Sequence, residues 1–428
     1  MINVRRSRKE CPLIKYTNQT VKFGIGFATG RQSFKKVLLS YINIWKETLK
    51  DLPRDQDVRL SLFVSYDVDY QNTQSTDFTN LSQEIVDAFD QIVFIGAKNS
   101  SQSFSKMKEQ GFFSADELKA VFGSGYAGKR NAVLFSAIEH QMDYLLFLDD
   151  DEYPIAVSKT GDTCLWSGQR VFLSHLEAIA SADFTNGYHC GYISPIPQLA
   201  FNDQLPEDTF RTFIEAISND IITWDSIRNL MNTGGATYAS SEILSQKKAA
   251  EVPWENNCRF ISGANLCINL KDPLRTLPFY NPPGARGEDT FLSTMLENRK
   301  VVKIPCYTFH DGFSFYQHIL NGALPIHLKR ITGDSPKVIT RFVNACIGWV
   351  RYKPLLIYIT KPEEYECQIH NMRSALAKTI PAFVDYFQEE RFINIQKEFE
   401  KYCRNVKKHY MQYRLAQSTW EKIVHRLG

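Results

Sequence analysis

The chain has 428 residues, 43% of them hydrophobic and 23% charged, which is too apolar for a disordered chain and too long for one ordinary domain. Fifty Lys and Arg against 47 Asp and Glu leave a net charge of +3, without the basic excess of a dedicated nucleic-acid binder. No apolar run approaches the roughly 18 residues of a membrane-spanning helix.

Residues 1–20 are a basic, polar lead-in with no secretory-type apolar run behind it, so a cytoplasmic location is expected. Lys22–Phe27 reads as a strand ending in Ala-Thr-Gly-Arg. Behind it Phe34, Val37, Leu38, Tyr41, Ile42, Trp45 and Leu49 recur at helical spacing, with Ser33 as a cap. Val58–Ser65 is a second strand, ending in Tyr66-Asp67-Val68-Asp69. Gln91–Gly96 is a third, and Tyr144–Leu148 a fourth after a helical stretch from Lys129 to Met142. Strand alternating with helix predicts an α/β fold, a largely parallel sheet with helices on its faces. Residues 151–260 are irregular, and Ile261–Leu270 and Val301–Pro305 read as further strands.

Past Ser335 the pattern becomes helical. Pro362 opens one helix with Glu363 and Glu364 behind it. A stripe through Phe392, Ile395, Phe399, Tyr402, Val406, Tyr413, Trp420, Ile423 and Leu427 reads as a last long helix. Three uses are open for that stripe: packing within the chain, a homodimer seam, or a basic face toward an anionic membrane surface. The expected division is a lead-in over 1–20, an α/β domain over 21–335 and a helical region over 336–428. The 9 cysteines are scattered without a CxxC pair, which excludes a disulfide framework or zinc-finger module and fits a reducing compartment.

Four motifs bear chemistry. Leu145-Leu-Phe-Leu148 delivers Asp149, Asp150, Asp151 and Glu152 at a strand's C-terminal end, where α/β folds place their ligands. Adjacent acids repel, and oxygen ligands of this kind suit Mg²⁺ or Mn²⁺ shared with a substrate's phosphates. The alternative is a solvated acidic loop. Gly123-Ser-Gly-Tyr-Ala-Gly128-Lys129 fits a phosphate-binding loop, but Arg130 stands where that loop needs Ser or Thr. Gly287-Glu288-Asp289 precedes an apolar helix face, so the two acids either cap that helix or act at its start. Phe309-His310-Asp311 follows a strand.

In this order the motifs resemble the glycosyltransferases of the GT-A fold, family 2 above all, over about residues 21–320. The resemblance implies a Rossmann-like mixed, mostly parallel sheet and Mn²⁺ or Mg²⁺ as cofactor. It implies a UDP- or GDP-sugar donor and a glycan, lipid-linked or small-molecule hydroxyl acceptor, as in polysaccharide biosynthesis, with no role for nucleic acid. Asp149–Asp151 match the DxD motif, with Asp149, Asp151 and His310 at the metal. Thr29, Arg31, Asp67, Asp69, Arg130, Asp149 and Asp150 would line the nucleotide-sugar site. Asp289, with Glu288, matches the catalytic acidic pair, and a helix N-terminus is expected to hold Asp289 at a low pKa. Asn232–Ala236 and Ser262–Asn265 look like acceptor-side turns. Inversion is favoured; a retaining transferase, a sugar nucleotidyltransferase and a non-catalytic sugar-nucleotide-binding module are the rivals.

Overall fold

The computed structural model describes residues 20–51, 57–96, 111–218, 223–316, 318–319 and 322–427. The basic lead-in, apart from Thr20, lies outside them. Nine strands form one sheet: β1 (Val21–Thr29), β2 (Val58–Tyr66), β3 (Gln91–Ile95), β4 (Tyr144–Leu148), β5 (Glu152–Tyr153), β8 (Phe184–Gly191), β9 (Ala250–Glu251), β10 (Leu266–Asn269) and β11 (Val301–His310). Its order is β3-β2-β1-β4-β10-β8-β11-β5, with β9 on β11. The β3, β2, β1 and β4 quartet is parallel. β10 runs antiparallel between β4 and β8, and β11 lies parallel to β8. β6 (Ile155–Thr160) and β7 (Thr163–Gly168) form a separate hairpin. This is the expected mixed α/β sheet flanked by helices.

The parallel quartet is apolar on both faces because helices cover both. The Tyr126–Glu139 helix is buried from Ala127 to Ile138 except at Lys129. It crosses β1 so closely that a Cβ on Gly26 would stand 2.7 Å from Val133 Cγ1. Only glycine fits there. Gly128 lies inside this helix, backed against the Gly123 carbonyl, and a helix, Ala115–Phe122, precedes it rather than a strand. The phosphate-loop match is therefore a helix-packing feature, since such a loop needs strand, loop and helix in sequence.

Two strands differ from the sequence expectation. β10 spans four residues instead of ten, because Ser262–Asn265 leaves the ladder as a loop, with Asn265 at φ +49°. β11 continues past Pro305 to His310. Proline lacks the N–H a ladder needs, and the register accordingly slips between Lys303 and Tyr307.

The C-terminal region holds four principal helices: Pro336–Thr360, Tyr365–Phe387, Ile393–Arg404 and Val406–Leu427. The last stripe is thus two helices, broken at Asn405. Its apolar residues from Phe392 to Ile423 are buried against the rest of the chain, whereas Leu427 at the end is exposed. Trp420 donates to Thr276 Oγ1 at 3.1 Å, and Tyr413 packs on Tyr280 and Phe291. Lys422 reaches Glu117, and Arg426 lies over the Phe112 ring, both at the exposed surface. One hydrophobic cluster runs from Phe147 under β4 to Trp420. Among the described residues no helix is long and apolar enough to cross a membrane, and eight cysteines are free.

A continuous core predicts one cooperative unfolding transition for sheet and C-terminal helices together. Trp420→Ala should lower global stability by about 3–5 kcal/mol, read by circular dichroism in urea. A separate early transition that leaves the sheet intact would show two independent units.

Candidate active site

β1 and β4 are parallel neighbours in register Phe27↔Leu148, so Thr29 and the acidic run emerge together at one sheet edge. Thr29 donates to Asp150 Oδ2 at 2.5 Å. Arg31 Nη1 reaches Asp150 Oδ1 at 2.8 Å and Asp151 Oδ2 at 2.7 Å. His310, at the end of β11, places Nε2 3.5 Å from Asp151 Oδ1, and its Nδ1 donates to the Tyr192 carbonyl at 2.6 Å. Behind this pair Glu152 accepts from Thr308 at 2.7 Å and sits 3.1 Å from His189 Nδ1.

Asp149 turns the other way, toward Arg130. That guanidinium is 2% exposed and lies between the rings of Phe147 and Phe279. It donates to Asp149 Oδ1 at 2.8 Å, to the Gly263 carbonyl at 2.6 Å and to Glu288 Oε1 at 3.3 Å. Gly263 N–H in turn donates to Asp289 Oδ2 at 3.2 Å. Arg130, expected to line the nucleotide-sugar site, is a buried cation that joins the strand-end acids to the Glu288–Asp289 pair. The acids, expected to need a bound cation, are already divided between Arg31, His310 and Arg130.

Electrostatics follow from burial and these partners. Burial pushes the Asp149 carboxyl up to about 7, against the pull of Arg130 and with the help of Glu152, Asp151 and Asp150. Burial likewise raises Asp151, but His310 and Arg31 outweigh it and hold that carboxyl far below the usual range. Burial lowers His310, and Asp151 more than reverses this, to about 9. Asp289 does not follow the expectation of a low pKa. Burial, reinforced by Glu288, lifts it to about 6 despite Arg130 and two backbone N–H donors. Desolvation wins over a six-residue helix's terminus.

Asp67 ends beside Thr29, whose carbonyl accepts its N–H, and its carboxylate is bound by Lys129 Nζ at 2.7 Å. Asp69 is exposed on the following turn and donates its N–H to Asp67. The structure therefore brings together Thr29, Arg31, Asp150, Asp151 and His310, and, joined to them through Arg130, Asp149, Glu288 and Asp289. The Ser262–Asn265 loop belongs to this edge, whereas Asn232–Ala236 packs on Arg330 and Ile331. Lys129, Glu152 and His189 had no assigned role in the sequence, although Glu152 stands in the acidic run itself, and Gly263 was expected only as part of an acceptor-side turn.

Among the described residues no group of three or more His, Cys, Asp or Glu side chains is arranged to hold a metal. Asp151 and His310, two of the three residues expected at a metal, come together at this edge, whereas Asp149 turns to Arg130. The His310 Nδ1–carbonyl bond leaves Nε2 facing the carboxylate, the arrangement that orients ligating histidines. Two protein ligands completed by phosphate oxygens and water suit Mg²⁺ or Mn²⁺.

No protein-family model matches the chain, and no curated protein matches it. Among solved structures it is similar to mouse xyloside xylosyltransferase 1 in its apo form. That likeness has 10% identity and a TM-score of 0.20, over 46% of this chain and 58% of that chain.

A carboxyl raised to about 6 from an unfolded value near 3.8 contributes stability that is fully present below about pH 4 and lost as pH rises through 6. Asp289→Asn removes that loss. Its stability relative to the parent should therefore increase from pH 4 to pH 8 in urea titrations. A difference that stays flat across this range would mean that Asp289 titrates near its ordinary value.

Proposed function

We propose that the chain is a glycosyltransferase that moves a sugar from a nucleoside-diphosphate donor to a hydroxyl acceptor. The observation that carries this reading is the pairing, at one sheet edge, of a phosphate-compatible cluster with a carboxyl of raised pKa. Arg31, Asp150, Asp151 and His310 form the cluster, Asp289 is the carboxyl, and Arg130 joins the two.

Asp151 and His310 would hold a divalent cation, with Mn²⁺ or Mg²⁺ both suited to the donor set. When bound, that ion neutralises charge developing on the leaving diphosphate. Thr29 fixes Asp150, and Arg31 orders both acids in the absence of ligand. Asp289 takes the proton from the acceptor hydroxyl, and its pKa near 6 leaves it ionised yet basic at neutral pH. Arg130 keeps Asp289 and Glu288 in place relative to Asp149. A single displacement of this kind inverts the anomeric carbon. The Asp67–Lys129 pair and Asp69, at the end of β2, would contact the nucleoside.

UDP- and GDP-sugars with Mn²⁺ should release UDP or GDP. Release of pyrophosphate from a nucleoside triphosphate and a sugar phosphate would replace this reading with a nucleotidyltransferase. Asp289→Asn should bind donor normally but lose about 10²–10⁴ in rate. The parent's rate should rise with pH through about 6 and then level off, as expected of a base that must be ionised. Full activity in Asp289→Asn would assign the base elsewhere.

A further inference from the structure

The Ser262–Asn265 loop decides where two groups of the site point. The Gly263 carbonyl accepts from Arg130, and the Gly263 N–H donates to Asp289 Oδ2 at 3.2 Å. A Cβ on Gly263 would stand 3.1 Å from Arg130 Nη2 and 3.4 Å from Asp289 Cβ, so the loop backbone lies directly against both. Ser293 ties the segment before the loop to the helix that carries Asp289. Its Oγ accepts from the Ile261 N–H at 3.2 Å and donates to the Asp289 carbonyl at 2.8 Å.

Two buried asparagines join the loop to the sheet. Asn186 is fully buried on β8, between Leu266 of β10 and Lys303 of β11. Its Nδ2 faces the carbonyls of Ser262, Ala264 and Asn265 at 3.2, 3.3 and 3.0 Å, and its Oδ1 accepts from the Ser262 N–H at 3.2 Å. Asn265 donates from Nδ2 to the Tyr188 carbonyl at 3.2 Å, and a Cβ on Gly187 would collide with its side chain. Lys303 stands behind the first asparagine. Its Nζ donates to Asn186 Oδ1 at 2.7 Å and lies 4.9 Å over the Tyr188 ring. An ammonium on the amide oxygen polarises the amide and strengthens the N–H donors at its other end. Burial holds the Lys303 pKa down at about 8, against Cys306 and Glu152, and a cation kept there is a cost that sheet pairing alone does not require.

We infer that Asn186, with Lys303 behind it, is a positioning residue for Asp289: it fixes the loop whose Gly263 N–H aims that carboxylate. This rests on the glycosyltransferase reading above and adds to it the side chains that act on the base through the loop.

The test reads Asp289 on the full chain without substrate. The stability difference between a protein and its Asp289→Asn variant is followed against pH by urea titration in the parent, in Asn186→Ala and in Lys303→Met. In the parent this difference should level off above about pH 6. Glu288 on the same helix, Arg130 from the helix under the sheet edge and Tyr352 from the Pro336–Thr360 helix face Asp289, and neither variant removes any of them. Loss of the Gly263 N–H, which favours the charged form, should move the levelling point upward by about one pH unit in Asn186→Ala, the worth of one hydrogen bond to a charge. Lys303→Met should move it the same way by less. With the donor that the parent uses, kcat in Asn186→Ala should fall about 10- to 100-fold while KM for the donor stays nearly unchanged. Lys303 is partly exposed, so Lys303→Met decides where Asn186→Ala folds poorly. A merely structural role would lower stability and leave the levelling point at about pH 6. That result overturns the inference while the transferase reading stands. A parent that releases neither UDP nor GDP removes the transferase reading, and the levelling point still decides whether Asn186 holds Asp289.

Discussion

The acidic edge exists because one arginine is buried beneath it. Arg130 is closed between Phe147 and Phe279 and spends its donors on Asp149, Glu288 and the Gly263 carbonyl. Without that cation, Asp149, Glu288 and Asp289 would face one another in a half-desolvated space, and one partner of a buried charge network cannot be removed without stranding the rest. Because Arg130 lies on the helix that packs closest to β1, the position of the whole cluster is set by sheet–helix packing. Gly26 is part of the same arrangement: its missing side chain lets that helix come near enough for Arg130 to reach under the strand end.

The second determinant is the C-terminal region. Its long helix presses Tyr352 against Gly287, the left-handed residue that begins the Glu288–Ser293 helix; a Cβ there would be 3.1 Å from the Tyr352 ring. From the other side Tyr413 touches Phe291 and donates to or accepts from Thr294 at 2.9 Å. A six-residue helix has little stability of its own. The direction in which Asp289 points therefore depends on residues far along the chain. The same long helix carries Arg341, which donates to the Gly312 carbonyl beside His310, so the region that braces Asp289 also reaches the acidic edge.

Much of this was readable from the sequence where burial is two-sided or periodicity is strong. β1, β2 and β4 are apolar runs because helices cover both faces, and Asp149–Asp151 announce themselves at the end of one. The C-terminal stripe was visible as a stripe, but not its break at Asn405 or its partner surface, since periodicity gives a face and not what it faces. Three adjacent acids look equivalent in sequence. In the structure Asp149 diverges from Asp150 and Asp151, because Arg31 and Arg130 approach from opposite sides, and neither approach has a local signature.

Asp289 shows why local rules mislead here. A helix N-terminus and a neighbouring arginine both favour its charged form, and on that basis it should be strongly acidic. Arg130, however, makes its hydrogen bonds with Asp149, Glu288 and Gly263, so only its field acts on Asp289. That field is offset by Glu288 on the same turn. Burial is then left as the largest effect, and it raises the carboxyl to about 6. The proton affinity of the proposed base is thus set by how many acceptors one buried guanidinium already serves. A site that gave Arg130 wholly to Asp289 would hold the acid more firmly and make it a weaker base.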